Sequence, residues 1–338
     1  MFIVNSYPLA VVLCFVTMLC WGSWANSQKI AAKSWRFEHF YWDYVIGILL
    51  FSLLFGFTLG STHGVGMSFL ESIKQASTSS ILNPILGGII FNLSNILLVA
   101  AISVAGMAIA FPVGVGICMV LGVLINYIAT PKGDPMLLFI GVGIVVVAII
   151  LDALAYKKHA VSIQKTSTKG ILLSVSAGFL MAWFFRFVAK AIAVDPEATG
   201  AGMAEVGKLT PYAAFFFFVI GVVLSNFLFN TYLMKKPIEG SPVNFKQYFE
   251  GNFRSHLSGI IGGCIWALGT SLSLLAANKA GYAISFGLGQ GATMIGAFWG
   301  VFIWKEFKGA ARSVNTLIAL MFLLFTVGLA LIIIAGNN

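Results

Sequence analysis

Ten apolar segments, each about as long as a bilayer is thick, limit what this chain can fold into. A helix that crosses the hydrocarbon core needs roughly 20 mostly apolar residues, and lipid-exposed backbone must satisfy its own hydrogen bonds. The segments lie at about residues 7–27, 41–60, 83–103, 105–129, 136–156, 170–193, 211–233, 256–277, 281–303 and 313–335. The sequence therefore predicts an all-α integral membrane protein with ten transmembrane helices.

The composition excludes several other classes. Charged residues make up 9% of the chain, against roughly 25% in soluble domains. The net charge of +9 is spread between the apolar segments rather than gathered in one patch, so no nucleic-acid partner is expected. Four cysteines lie inside apolar segments without metal-ligand spacing, and nucleophile or phosphate-loop motifs are lacking. We expect no metal, no cofactor and no enzymatic activity.

The distribution of basic residues predicts the orientation. Loops after the first, fifth, seventh and ninth segments hold 14 Lys and Arg residues, whereas the alternate loops hold 4. Because loops rich in Lys and Arg stay in the cytoplasm, both termini are predicted to be extracytoplasmic. We expect the chain to reside in the plasma membrane, which for a bacterium is the inner membrane.

Two stretches of the sequence resemble each other. Residues 105–116 and 280–291 agree at seven of twelve positions at an offset of 175, and Val45-Ile46-Gly47 recurs as Val219-Ile220-Gly221 at an offset of 174. Helices 1–5 are therefore predicted to repeat as helices 6–10. Because five is odd, the second copy would be inverted, as in many alternating-access transporters.

The repeat predicts a division of the chain into two units. The first five-helix repeat is expected over residues 1–156 and the second over 170–338, with a short cytoplasmic linker at 157–169. A small-molecule substrate would bind near the bilayer midplane between the two repeats. The oligomeric state is left open.

Charged side chains inside the predicted helices are candidates for ion coupling, because they are costly in a bilayer without a function or a partner. Asp43 and Arg186 are the candidates for coupling to protons, and sodium coupling is left open. A helix-capping role for Asp43 and a structural salt bridge for Arg186 are the alternatives. Trp183, Arg186 and Lys190 share one helical face.

Amide, hydroxyl and indole groups inside the helices are candidates for contact with a neutral polar solute. Hydrogen bonds that only hold the bundle together are the alternative for each of them. The predicted substrate-binding residues are Trp24, Asn92, Asn95, Trp183, Arg186, Trp266, Thr270 and Gln290.

Several short motifs together resemble the ureide permease family of the drug/metabolite transporter superfamily. These are Cys20-Trp21-Gly22-Ser23-Trp24, Tyr41-Trp42-Asp43-Tyr44, Ala280-Gly281-Tyr282-Ala283, Phe298-Trp299-Gly300 and Lys305-Glu306. More distantly the chain is similar to the rhamnose–proton symporter and glucose/ribose porter families. The resemblance implies two inverted five-helix repeats and proton-coupled import of ureides such as allantoin or nucleobases such as uracil. It carries over Trp21, Gly22, Trp24 and Asp43 as matched positions, but not Arg186.

The chain departs from plant members of that family, which have a long central cytoplasmic loop with a nucleotide-binding-like motif. Its own central loop, about 157–169, is short and lacks that motif. The substrate range of the plant members therefore need not apply. Because amides and indoles suit sugar hydroxyls as well as ureide amides, a proton symporter of a monosaccharide (ribose, glucose or rhamnose type) stays open as an alternative. An exporter of metabolites or drugs and a membrane receptor without transport activity stay open as well.

Overall fold

The computed structural model describes residues 1–31, 35–62, 66–105, 107–159, 168–193, 205–238 and 240–337. Within them the protein is helical, and ten helices are long and apolar enough to cross a membrane. They are α1 (Tyr7–Ala31), α2 (Phe37–Phe57), α3 (Thr78–Ala105), α4 (Met107–Ala129), α5 (Pro135–His159), α6 (Thr168–Ala191), α7 (Pro211–Lys235), α8 (Phe253–Ala280), α9 (Tyr282–Ile303) and α10 (Arg312–Asn337). Two short helices, Phe69–Gln75 and Phe245–Phe249, lie in the connections.

The ten predicted segments are confirmed, and their ends differ for a local reason. Helix α3 begins at Thr78, five residues before its apolar segment, because the Ser77 hydroxyl accepts a hydrogen bond from the Ser80 N–H. Helix α8 begins at Phe253 because Asn252 caps it in the same way. Polar capping residues extend a helix beyond the apolar pattern. The sequence predicts a tight turn near Ala280-Gly281, between the eighth and ninth segments, and the structure has this turn, with a φ of 90° at Gly281.

The segment between α5 and α6 is shorter than the predicted linker at 157–169, because α5 runs to His159 and α6 starts at Thr168. The sequence also predicts a tight turn near Ala105-Gly106, between the third and fourth segments. Gly106 and residues 160–167 lie outside the described residues. The division into two five-helix units stays a prediction.

The helices form a bundle in which α3 packs against α6 and α7, and α8 packs against α1 and α2. Helix α4 contacts α6, α9 contacts α1, and α5 pairs with α10 at the edge. The core of the bundle is therefore built from α2, α3, α7 and α8.

Glycines let α2 and α8 touch backbone to backbone. A Cβ atom on Gly47 would lie 2.2 Å from the Ile260 carbonyl oxygen, and one on Gly263 would lie 2.0 Å from that of Tyr44. Such distances are far inside van der Waals contact. Small residues drive helix association in membranes because they allow this approach.

The same arrangement joins α3 and α7. A Cβ atom on Gly88 would lie 2.0 Å from the Phe218 carbonyl oxygen, and one on Gly221 would lie 2.1 Å from that of Ile85. Each of these helix pairs is thus held by two glycines, one on either partner.

The loops rich in Lys and Arg gather at one end of the bundle, which we call the basic face. The Lys29 ammonium, at the end of α1, pairs with Glu306 after α9. Tyr156 and His159, near the end of α5, also bond to Glu306. At the other end, Gln75 bonds to the Lys208 carbonyl and Lys132 to the Asn278 carbonyl.

We predict that Gly263→Ala lowers stability by roughly 1–3 kcal/mol, because the added methyl group overpacks the α2–α8 contact. Its matched control is Gly143→Ala, a position on α5 where nothing lies within 4 Å of an added Cβ. Thermal unfolding in detergent, followed by size-exclusion chromatography, measures both. Equal melting temperatures would show that the contact is not tight.

Candidate functional site

A cavity of about 340 Å³ lies inside the bundle and extends from its middle to the basic face. Side chains from α1, α3, α4, α5, α6, α8 and α9 line it. The lining includes Trp21, Trp24, Asn26, Lys29, Phe91, Asn95, Pro112, Asp152, Tyr156, Phe184, Trp266, Gln290, Thr293, Trp299, Trp304 and Glu306. It is therefore mostly aromatic and apolar, with a few polar groups, as is usual for sites that hold small molecules.

Two of the lining helices are interrupted where they meet the cavity. The α-helical pattern of α1 breaks at Trp24. Helix α9 breaks at Gln290 and Gly291, and continues as a π-helical turn over Trp299–Ile303. Interrupted membrane helices and π-turns are typical of functional sites, because they free backbone groups and redirect side chains.

Aromatic rings form the wall of the cavity near the middle of the bundle. The centroid of the Trp24 ring lies 4.9 Å from that of Tyr44. Trp266 packs between Phe91, at 4.6 Å, and Phe218, at 6.1 Å. Two indoles predicted to contact the solute are therefore held in place by neighbouring rings and face the same space.

Thr270 acts on the cavity through a neighbour. It is buried and does not line the cavity, but its hydroxyl accepts a hydrogen bond of 3.0 Å from the Trp21 indole N–H. It thereby fixes the orientation of Trp21, which does line the cavity.

The predicted amides fall into two kinds of environment. Asn95 lines the cavity and donates to the Tyr41 hydroxyl at 3.1 Å. Asn92 is fully buried, accepts from Tyr41 at 2.8 Å and donates to Ser225 at 2.9 Å. Gln290 lines the cavity, and its side-chain amide makes no hydrogen bond within the described residues. Asn92 thus belongs to the packing network, whereas Gln290 is free to bind a solute.

The structure does not bring Trp183 and Arg186 to the cavity. Helix α6 lines it with Met181 and Phe184, and the Trp183 indole is 37% exposed on another side. Arg186 lies towards the end opposite the basic face, where its charge acts on Tyr282. Solute contact by these two residues stays a prediction without support from the geometry.

Asp43 lies outside the cavity, in a polar cluster at the basic face. Its side chain is 1% exposed and accepts hydrogen bonds from Trp35 Nε1 at 2.9 Å and from the Tyr248 hydroxyl at 2.6 Å. His256 Nδ1 lies 2.8 Å away. The pKa of Tyr248 is raised, mainly by burial and also by its hydrogen bond to Asp43. Asp43 is seven residues into α2 and bonds to side chains, so it does not cap the helix.

A second polar cluster joins the ends of α1, α5 and α9 at the mouth of the cavity. Besides the Lys29–Glu306 pair, the Tyr156 hydroxyl donates to Glu306 at 2.9 Å. The Lys29 ammonium lies 4.5 Å from the centre of the Trp304 ring, whose N–H donates to Asn26 at 2.6 Å.

Sequence reasoning missed most members of the two clusters. Trp35, Tyr248 and His256 lie in loops or first helical turns, where a polar residue is unremarkable. The available signal was the position of all three on the basic side of their segments, as for Asp43.

The described part of the chain has ten candidate membrane spans, and seven of them line one cavity. This arrangement is that of a polytopic membrane protein that holds a small molecule. The chain belongs to the ureide permease family, whose model matches residues 40–169 and 154–335. It is 24% identical to Ureide permease 1 and 22% identical to Ureide permease 2 of Arabidopsis thaliana, with all of each chain covered. It is 21% identical to the probable ureide permease A3 of Vigna unguiculata, over 92% of this chain and 99% of that one.

A protein of known crystal structure shares the fold, with a TM-score of 0.61 at 15% sequence identity over 96% of this chain and 98% of the other. The relatives are named permeases, which confirms the expectation of a membrane transporter rather than an enzyme.

We predict that the polar groups of the cavity and of the packing network respond differently to substitution. Gln290→Leu should reduce solute uptake with little change in melting temperature, because the Gln290 amide makes no hydrogen bond to another described residue. Asn92→Leu should instead destabilise the protein by roughly 1–3 kcal/mol, because it leaves the buried Tyr41 O–H without its acceptor. Uptake and thermal unfolding are measured for both. Normal uptake by Gln290→Leu would remove Gln290 from the site.

Proposed function

We propose that the protein imports a small neutral solute of the ureide or nucleobase type by proton-coupled alternating access. The observation that carries this proposal is the coincidence of the cavity with the interruptions of α1 and α9. Flat rings of a cyclic ureide or a nucleobase suit stacking on indoles, and their amide groups suit Asn95 and Gln290. The relatives named ureide permeases support the same solute class.

Alternating access rests on an inverted repeat, for which the glycine contacts give support. The α2–α8 contact of Gly47 with Ile260 corresponds to the α7–α3 contact of Gly221 with Ile85, at offsets of 174 and 175. Exchanging helices 1–5 with helices 6–10 turns one contact into the other.

The second pair of glycine contacts behaves in the same way. Gly88 against Phe218 corresponds to Gly263 against Tyr44 at the same two offsets. The pairings of α3 with α6 and of α8 with α1 correspond as well. Two such units can rock about the cavity between them, which is the motion that alternating access requires.

The orientation completes the proposal. With the basic face in the cytoplasm and both termini outside, the described conformation has a cavity that reaches the cytoplasmic end. The Lys29–Glu306 cluster then lies at the inner mouth, where the two halves meet. In this orientation the protein is proposed to reside in a plasma membrane.

Coupling to protons is assigned in this proposal to the Asp43 cluster. Asp43 and His256 link α2 to α8 at the basic face. Tyr248, on the short helix Phe245–Phe249, contacts both, through its hydrogen bond to Asp43 and its ring contact with His256. Protonation there would weaken a contact between the two halves, so it would alter the equilibrium between inward and outward states. Arg186, being far from this cluster, is given no role in it.

Uptake into proteoliposomes tests the proposed function. Labelled allantoin, uracil, ribose and glucose are offered with and without an inward proton gradient. We expect allantoin or uracil to accumulate, and to do so faster with the gradient. Transport of ribose or glucose alone would replace the solute class with a monosaccharide. Efflux against a gradient without uptake would indicate an exporter, and binding without flux a receptor.

We predict that Asp43→Asn abolishes gradient-driven accumulation and leaves solute counterflow intact, since counterflow needs no net proton movement. Lys246→Gln, a change on the short helix Phe245–Phe249 to a side chain that is 84% exposed, is the control. Normal accumulation by Asp43→Asn would remove Asp43 from the coupling mechanism.

A further inference from the structure

Asp152 is a carboxyl group in the cavity lining to which the proposed transport mechanism gives no role. It lies on α5, seven residues before the helix ends at His159, and it lines the cavity. Within the described part of the chain it takes part in no hydrogen bond and no ion pair. A carboxylate in mostly apolar surroundings is costly unless it is neutralised or bound.

The charges around Asp152 do not neutralise it. Glu306, which faces the same cavity, acts on it as a like charge. Lys29 is the only basic residue in the described lining, and its ammonium is already paired with Glu306. Of the helices packed on α5, α4 contributes no charged side chain and α10 only Arg312, its first residue. The remaining titratable side chains of this part of α5 are Tyr156, Lys157, Lys158 and His159.

A neutral carboxyl group offers one donor and one acceptor side by side, whereas a carboxylate only accepts. The edge of a cyclic amide, with its C=O next to its N–H, presents the complementary pair. The two groups can therefore form two parallel hydrogen bonds when the carboxyl group carries a proton. Ionisation of the carboxyl group removes the hydrogen bond to the amide C=O and leaves that oxygen facing a negative charge, which repels it.

We propose that Asp152 binds a proton and the amide edge of the solute together, so that the cavity itself links solute binding to protonation. This inference rests on the proposed function, and it adds a protonation site distinct from the Asp43 cluster. The proton comes from water, forms an O–H bond on the Asp152 carboxylate, and returns to water when the solute leaves. No covalent bond to the solute forms. By linkage, the factor by which the proton tightens solute binding equals the factor by which the solute tightens proton binding.

Equilibrium binding to the purified protein tests this inference, with the fluorescence of the cavity tryptophans as the signal. Uracil has amide edges, 1,3-dimethyluracil has lost both N–H groups, and ribose has hydroxyls only. Affinities are measured from about pH 5 to about pH 8. The variants are Asp152→Asn, which permanently offers a donor and an acceptor, and Asp152→Ala, which offers neither. Asp134→Asn is the control, since Asp134 only caps the other end of α5.

We expect the wild-type affinity for uracil to fall by about tenfold or more as the pH rises through this range. Asp152→Asn should keep the low-pH affinity at every pH, and Asp152→Ala should lose about tenfold at low pH. The binding of 1,3-dimethyluracil and ribose should change little with pH, and Asp134→Asn should behave like the wild type.

A wild-type pH dependence that persists in Asp152→Asn would overturn the inference, even if uracil is transported. An affinity for uracil that Asp152→Ala leaves unchanged would do so as well. Failure of the wild type to bind or transport any amide solute would instead contradict the proposed function. Since Asp152→Asn is nearly isosteric, and binding is measured only on monodisperse protein, a folding defect does not mimic either result.

Discussion

The structure depends on direct contact between helix backbones at glycine. In a bilayer, apolar side chains gain little by leaving lipid for protein, so helices associate through close packing and hydrogen bonds. Gly47 and Gly263 supply that packing between α2 and α8, and Gly88 and Gly221 supply it between α3 and α7. Because these four helices meet so closely, the space for a solute lies beside them, against α1, α4, α5 and α9.

The cavity occupies the space that the glycine contacts of α2 with α8 and of α3 with α7 leave unfilled. Interruptions at Trp24 and Gln290 turn side chains of α1 and α9 into the space beside the core. Trp266 on α8 is fixed by packing against Phe91, so one wall is rigid. The tightly packed helix α8 forms the rigid wall of the cavity, and the interrupted helices α1 and α9 form the other wall. Such a division suits a protein that must hold a solute and also change shape.

Much of the fold follows from the sequence, because segment length and apolar composition decide which stretches can span a bilayer. The ten spans were predictable for that reason, and the helix ends were less so, because capping residues such as Ser77 lie outside the apolar pattern. The site was only partly predictable. Trp24, Asn95, Trp266 and Gln290 lie together at the cavity, and their contact with a solute stays a prediction.

The rest of the site depends on which way each helix is rotated in the bundle. Helical spacing puts Trp183 and Arg186 on one face, but it does not say what that face contacts. Asn92 and Asn95 share a helix and differ in role, because only one of them faces the cavity. That Asp152 has no partner among the described residues is likewise a property of the neighbouring helices, which its place in the sequence does not show.

In the proposed mechanism the two halves move against each other around the cavity. Its most direct test is to tie the halves together at the cavity mouth, in the double variant Lys29→Cys, Glu306→Cys, with a short bifunctional thiol reagent whose link a reductant can cleave. We predict that the cross-link stops solute counterflow, that cleavage restores it, and that the reagent does not change the counterflow of either single-cysteine variant. Counterflow that continues at the wild-type rate in the fully cross-linked protein would contradict it.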